Sequence, residues 1–304
     1  MDNHFPRQRH PDWEGGHRLG HNPRVARHIM TLTCDDRPGI VAAVSTALLD
    51  VNANIVENQQ FSDEDTNLFF MRTVFDAAEG EVQRVLDAID ASAAVEHQHL
   101  AVRPADERCR TLILVSKFDH CLLDLLYRWK SGDLPIDIVG VVSNHEDTRG
   151  LVEYYGLPFT HLPVTKETKA DAEAQLLKIV DAEDVGLVVL ARYMQILSND
   201  LCEQLAGRAI NIHHSFLPGF KGAKPYHQAH DRGVKLIGAS AHYVTGDLDE
   251  GPIIEQDVVR VTHAETPERL VALGRDVERR VLSRAVRDHA ESRVFLSGRR
   301  TIVF

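Results

Sequence analysis

A two-domain α/β protein is what this sequence predicts, and three observations carry that expectation. Residues 29–103 read as a βαββαβ succession. The stretch from Arg103 to Arg108 is charged and proline-bearing, as a domain boundary is. From Arg110 onward strands and helices alternate, which predicts a Rossmann-like, mostly parallel, doubly wound sheet with helices on both faces. The run Val185 to Leu190 is apolar throughout, as a strand covered on both sides must be.

Length and charge set the outer limits. A chain of 304 residues is long enough for two domains with sizeable cores. Its formal net charge of −11 disfavours a nucleic-acid partner, which needs a basic stripe, and disfavours an anionic membrane surface. No apolar run approaches the roughly 20 residues of a spanning helix. Cys34, Cys109, Cys121 and Cys202 are scattered without metal spacing and read as reduced, small apolar residues. A cytoplasmic location is therefore expected. Residues 1–28 mix arginines, acids, histidines and prolines without an apolar period, and read as a disordered tail that lacks the apolar core of a secretory signal.

In the first domain, Ile29 to Cys34 alternates as a strand does. Asp35-Asp36-Arg37-Pro38-Gly39 follows, with an aspartate placed to cap a helix and a proline suited to its first turn. Ile40, Val41, Val44, Ala47 and Leu48 give that helix an apolar face. Strands over Ile55–Phe61 and Asn67–Phe75, a helix over Glu79–Ala91 and a strand over Val95–Val102 complete the unit.

In the second domain, strands are expected at Arg110–Ser116, Ile136–Val142, Phe159–Leu162, Val185–Leu190, from Ala209, at Lys235–Val244 and at Ile253–Val259. Helices are expected at Leu122–Trp129, Arg149–Tyr155, Ala170–Asp181, Leu197–Leu205 and Pro225–Arg232. A long helix capped by Thr266 and started by Pro267 closes the domain, with a hairpin about Ser297-Gly298. The loop Ser116-Lys117-Phe118-Asp119-His120-Cys121 contains no G-x-G-x-x-G and no P-loop, so nicotinamide- or ATP-dependent chemistry is disfavoured and no cofactor is expected.

Chemistry is concentrated at Asn211-Ile212-His213-His214, where a short buried strand runs into a polar loop. Strand alternation places Asn211 and His213 on one face, with Ile212 and His214 on the other. An amide donor beside an imidazole suits attack on a carbonyl carbon: one group holds the developing oxyanion and the other handles protons. On the pattern alone, a polar strand end with interior histidines describes these residues at least as well. The loop Asp247-Leu248-Asp249-Glu250-Gly251, closed by Gly251-Pro252, offers an acid to the pair; equally, acidic loops are often only solvated. A zinc reading would draw on His213, His214, His227, His230 and His242, but it lacks H-E-x-x-H or a cysteine cluster, so no metal is expected.

Two resemblances sharpen this. Asp36-Arg37-Pro38-Gly39-Ile40-Val41 with Asn54-Ile55 resembles the ACT family of small regulatory domains. That implies pairing between chains into a homo-oligomer and an amino-acid effector near Asp36, Gly39 and Asn54; pairing alone, without an effector, accounts for such a domain equally. From Arg110 to Phe304 the chain is similar to the folate-dependent formyltransferase family. Leu190-Ala191-Arg192-Tyr193-Met194-Gln195-Ile196-Leu197-Ser198, Asn211-Ile212-His213-His214-Ser215 and Asp249-Glu250-Gly251-Pro252-Ile253-Ile254 carry the likeness. With the ACT unit in front, the whole resembles the formyltetrahydrofolate deformylase family.

What the resemblance implies is hydrolysis of 10-formyltetrahydrofolate to formate and tetrahydrofolate, feeding formate to purine synthesis and balancing one-carbon folate pools. It puts Asn211, His213 and Asp249 in catalytic positions. Met194, Gln195, Ile196, Leu197, Lys117, Val244 and Gly246 would bind the folate. In that scheme Asp249 helps deprotonate a water while His213 and Asn211 hold the oxyanion. Transfer to an amine acceptor, and an idle folate or amino-acid sensor, are the alternatives. Asp119 places negative charge where an acceptor phosphate would sit, which favours water.

Overall fold

A computed structural model describes residues 25–219 and 225–304. The first domain is a four-stranded antiparallel sheet in the order β2-β3-β1-β4, formed by β1 (Val25–Asp35), β2 (Asn54–Asp63), β3 (Leu68–Ala78) and β4 (His97–Pro104). Helices α1 (Ile40–Asp50) and α2 (Val82–Asp90) cover one face. Alternation decides which residues they meet: Met30, Leu32, Phe69, Met71 and Phe75 pack with Val44, Leu48, Val85 and Ile89.

Local details differ from the expectation. Strand β1 begins at Val25, inside the tract read as a tail; its Arg27 pairs with Asp76 at 2.8 Å. The rest of that tract lies outside the described residues. Helix α1 starts two residues after Pro38, with Gly39 as its N-cap at φ 101° and no side-chain cap, so the aspartate does not cap it. Only glycine enters that left-handed turn without strain.

The second domain holds a seven-stranded sheet ordered β11-β10-β9-β8-β5-β6-β7. Strands β5 (Cys109–Val115), β6 (Ile136–Ser143), β7 (Phe159–His161), β8 (Leu187–Leu190) and β9 (Ala209–His213) are parallel. Strands β10 (Leu236–Tyr243) and β11 (Ile253–Arg260) run antiparallel at one edge. Helices α3 (His120–Ser131) and α8 (Pro267–Ala290) cover one face, α5 (Lys169–Ala182) and α6 (Asn199–Gln204) the other. Two further short helices are α4 (Arg149–Tyr154) and α7 (Pro225–Asp231). Chain order reverses between β5 and β8, the switch point beside which open α/β sheets bind their ligands.

The supposed linker is a junction. Strand β4 runs to Pro104, and Arg103 donates to the Ala290 carbonyl at 2.6 Å and to Ser292 Oγ at 2.9 Å. The sheet face of the ACT unit that its helices leave bare is covered by the C-terminal hairpin of β12 (Val294–Ser297) and β13 (Arg300–Val303). Phe295 meets Phe70 edge-on, and Arg300 reaches Asp63 at 2.8 Å. Arg72, only 3% exposed, donates to the Glu291 carbonyl and to Glu57. Substituting Arg72→Met leaves that carbonyl unsatisfied, a loss of about 1–3 kcal/mol. Calorimetry of the variant is expected to show a lowered first transition in which the two domains unfold separately; a single transition at the wild-type temperature contradicts the role.

Candidate active site

A cavity of about 240 Å³ opens at the carboxyl ends of β8 and β9. The loop after β8 supplies Met194, Gln195, Ile196 and Leu197, and β9 supplies Asn211 and His213. His242 of β10 joins them, together with Val244, Gly246, Leu248 and Asp249 from the loop that follows. The sheet dictates this gathering. Leu190 pairs with Asn211 across the parallel β8–β9 ladder, and His242 pairs with Asn211 across the antiparallel β9–β10 ladder. Residues directly opposite in a ladder share a face, so Asn211, His213 and His242 look the same way.

Asp249 closes the site. Its backbone sits in the left-handed region at φ 57°, and its Oδ1 stands 3.2 Å from His213 Nδ1 and 3.7 Å from His242 Nε2. The carboxylate is 14% exposed, while the two imidazoles are 6% and 3% exposed. Burial acts to raise the carboxyl's pKa, but the neighbouring His213 and then His242 outweigh it and hold the group well below the usual carboxylate range. Gly251 fixes the end of the loop for a reason other than backbone angle: a Cβ there would stand 1.8 Å from the Tyr243 carbonyl oxygen.

Hydrogen bonding settles the tautomers. His242 Nδ1 lies 2.9 Å from the Tyr243 carbonyl, an acceptor only, so that nitrogen carries the proton. In the neutral ring Nε2 then accepts from Asn211 Nδ2 at 3.3 Å. His242 thereby orients the Asn211 amide and leaves its second N–H to the cavity. Asp249 at Nδ1 of His213 does the same for that ring, and His213 Nε2 is buried with no hydrogen-bond partner among the described residues.

Several expectations are corrected. His213 and His214 do not face opposite ways: β9 ends at His213, alternation stops, and the rings stack at 5.1 Å with 25° between planes. His214 lines the same cavity. Burial, then the charges of Arg192 and His213, lower its pKa to about 4. Lys117 is exposed and is not among the cavity's lining residues. Asp119 N-caps α3. In the ACT unit, Asp36 and Gly39 line an open depression that also includes Ser45 and Phe69, but Asn54 is not among its lining residues. Tyr226 is buried and donates to Glu278 Oε1 at 2.7 Å.

Sequence reasoning missed the cluster beneath the cavity. Glu278 of α8, 1% exposed, accepts from Tyr226 and bonds His120 Nε2 at 2.8 Å. Arg192 Nε lies 3.4 Å from the same carboxylate. Burial alone would raise the Glu278 carboxyl, but the His120 hydrogen bond and the Arg192 charge keep it low. An acid at an inward position of a helix was the available signal. Among the described residues, His120, Cys121 and Glu278 are the grouping with metal-type ligands within 4.8 Å of one another. Glu278's oxygens are already engaged there, and burial lifts the Cys121 thiol well above its ordinary value. The histidines of the zinc reading form no such grouping among the described residues.

Residues 109–286 match the formyl transferase family model, and residues 28–93 match the ACT domain model. A formyltetrahydrofolate deformylase of Corynebacterium sp. (strain P-1) is 52% identical over 279 residues, 91% of this chain and 98% of its own. The chain belongs to the formyltetrahydrofolate deformylase family. The crystal structure of the family member from Burkholderia mallei, also 52% identical, covers 92% of this chain and 99% of its own with a TM-score of 0.87. A glycinamide ribonucleotide transformylase from Symbiobacterium toebii is more distant, with 30% identity and a TM-score of 0.62 over 70% of this chain. The two-domain α/β architecture read from the sequence is thus that of the family.

Two half-buried histidines give this family member an acid sensitivity. His214 and His289 are both lowered to about 4 from an ordinary 6.5, chiefly by burial, and His289 Nδ1 accepts from the Tyr243 hydroxyl at 2.7 Å. The unfolded chain takes up these protons near 6.5 and the folded one near 4. Stability is therefore full above 6.5 and falls with pH toward 4, by at most about 1.4 kcal/mol per pH unit for each histidine. Urea unfolding at a series of pH values is expected to show this slope, flattened in His289→Gln; an unchanged slope in that variant contradicts the assignment.

Proposed function

We propose that this chain hydrolyses 10-formyltetrahydrofolate to formate and tetrahydrofolate, with Asn211, His213 and Asp249 as the catalytic set. The observation that supports this most is the convergence of the three on one cavity, where His213 Nε2 has no hydrogen-bond partner among the described residues and His242 orients the Asn211 amide. Family membership over the whole described length, ACT unit included, supports the hydrolase over the transferase reading.

In the neutral ring Asp249 holds the proton on His213 Nδ1, so Nε2 is the base. The depressed carboxylate is a weak base, which moves water deprotonation from Asp249 to His213. Water oxygen bonds to the formyl carbon while its proton passes to Nε2. The resulting imidazolium is stabilised by Asp249, and the Asn211 N–H steadies the oxyanion. The intermediate collapses, the C–N10 bond breaks, and N10 takes its proton from His213. The scheme calls for no cofactor. Apolar Ile196, Leu197 and Val244, with the backbone near Gly246, would take the pterin, and Met194 and Gln195 border it. Lys117 stays a candidate only for a more distant part of the folate.

Removing one oxyanion donor typically lowers turnover 10²–10³-fold. Asn211→Ala is expected to fall in that range, and His213→Ala and Asp249→Asn at least as far, with far-UV circular dichroism unchanged. The assay is formate released from 10-formyltetrahydrofolate with no acceptor present. Turnover appearing only when a ribonucleotide amine is added would support a transferase, and none in either case a sensor.

For the ACT unit we infer an amino-acid effector at the depression around Asp36 and Gly39, and pairing of chains through β2. That edge strand exposes Ile55, Val56 and Phe61, which suits an interface. Light scattering on the purified chain is expected to give a multiple of the 34.1 kDa chain mass, and a monomer at micromolar concentration would contradict the pairing. No helix among the described residues is long and apolar enough to cross a membrane, and a cytoplasmic setting fits a soluble folate substrate.

A further inference from the structure

The hydrolytic scheme leaves Arg192 without a task, yet the structure holds it at some cost. It stands two residues past the end of β8, with its backbone in the left-handed region at φ 64°. Such a conformation is strained for a residue other than glycine, and residues held in it cluster at functional sites. The side chain is 10% exposed and lines the catalytic cavity. Glu278 sits 3.4 Å from Nε, and the Phe118 ring lies 5.6 Å from the guanidinium carbon. These contacts fix the plane of the group without satisfying it. Nε and Nη1 are buried and have no hydrogen-bond partner among the described residues. His213 Nε2, on the same cavity, is in the same condition.

A buried guanidinium is always charged, and its planar fork matches a carboxylate. The formyl group of the substrate is neutral. Negative charge arises at that carbon only once water has added, and persists only in the one-carbon product. We propose that the Arg192 guanidinium and His213, protonated again when the formic acid first released gives its proton to Nε2, together form a subsite for a small carboxylate, and that its occupant is formate. The identity of the occupant rests on the hydrolase reading. A cation that meets charge only after water addition stabilises intermediate and product over substrate, which is the form of binding that helps turnover. Glu278, with His120 and Tyr226 behind it, is a positioning residue: it holds the guanidinium at the cavity wall.

The test measures binding without turnover. Carbon-13 formate is titrated with the full chain in the absence of folate, and its line broadening is followed. Wild type is expected to broaden the signal saturably, with azide competing as an isosteric monoanion. Arg192→Gln is expected to weaken formate binding at least tenfold and to relieve formate inhibition of hydrolysis by a similar factor. Glu278→Gln, which keeps the guanidinium but loosens its hold, is expected to give a smaller loss. Equal broadening by wild type and a folded Arg192→Gln overturns the proposal. Should that variant fail to fold, Arg192→Lys decides: it keeps the charge and loses the fork, so unchanged affinity overturns the proposal and a loss of threefold or more supports it. The other carboxylate source is the glutamate tail of folate, and displacement of formate by p-aminobenzoylglutamate would overturn the assignment to formate. Formate binding that depends on Arg192, in a protein that releases no formate from 10-formyltetrahydrofolate, would leave the subsite standing and sink the hydrolase reading. Turnover with Arg192-independent binding would do the reverse.

Discussion

One carboxylate facing two imidazoles from neighbouring strands is the constraint on which the rest of this site depends. Asp249 reaches His213 of β9 and His242 of β10 only because those strands are adjacent and antiparallel. The same ladder sets Asn211 opposite His242. A single carboxylate thereby fixes one ring's protonated nitrogen, stands near a second, and leaves an amide N–H and a ring nitrogen turned toward the cavity. Moving β10 by one residue in register would carry His242 to the opposite face and leave both Asn211 and Asp249 without their neighbour.

Much of this was legible in the residues. Period-two and period-3.6 patterns located nearly every strand and helix, because each element buries one face or both against a common core. Asn211, His213 and Asp249 stood out because amide, imidazole and carboxylate at strand ends suit carbonyl chemistry. What the sequence concealed depends on pairing across the sheet. His242 was weighed only among the histidines of a zinc reading, and nothing local says that β10 lies antiparallel to β9. The partner of Arg192 is 86 residues away on α8 (278 − 192 = 86), a contact that no periodicity announces. His214 was misjudged because alternation was extended one residue past the point where the strand ends. Arg103 was misjudged because a charged, proline-bearing stretch reads as linker whether or not its side chains are engaged.

Two residues other than glycine take left-handed backbone at the cavity rim, Arg192 and Asp249, and each presents a charge to it. Conformational strain and charge placement coincide here. Arg192 takes this backbone just past the end of β8, and Asp249 takes it within the loop between β10 and β11. Each charge is then met by a group of opposite or shareable charge: Glu278 in one case, the imidazoles in the other. The cavity thus holds cation and anion on separate elements with separate anchors.

Helix α8 touches both anchoring systems. Glu278 lies near its middle, beneath the cavity, and Ala290 is its last residue, gripped by Arg103 of β4. At a rise of about 1.5 Å per residue the two points are about 18 Å apart along one unbroken rod. A rod of hydrogen-bonded turns transmits a push along its axis with little loss. One helix thus joins the ACT sheet, through the Arg103 grip on its last residue, to the carboxylate that holds the guanidinium beside the cavity.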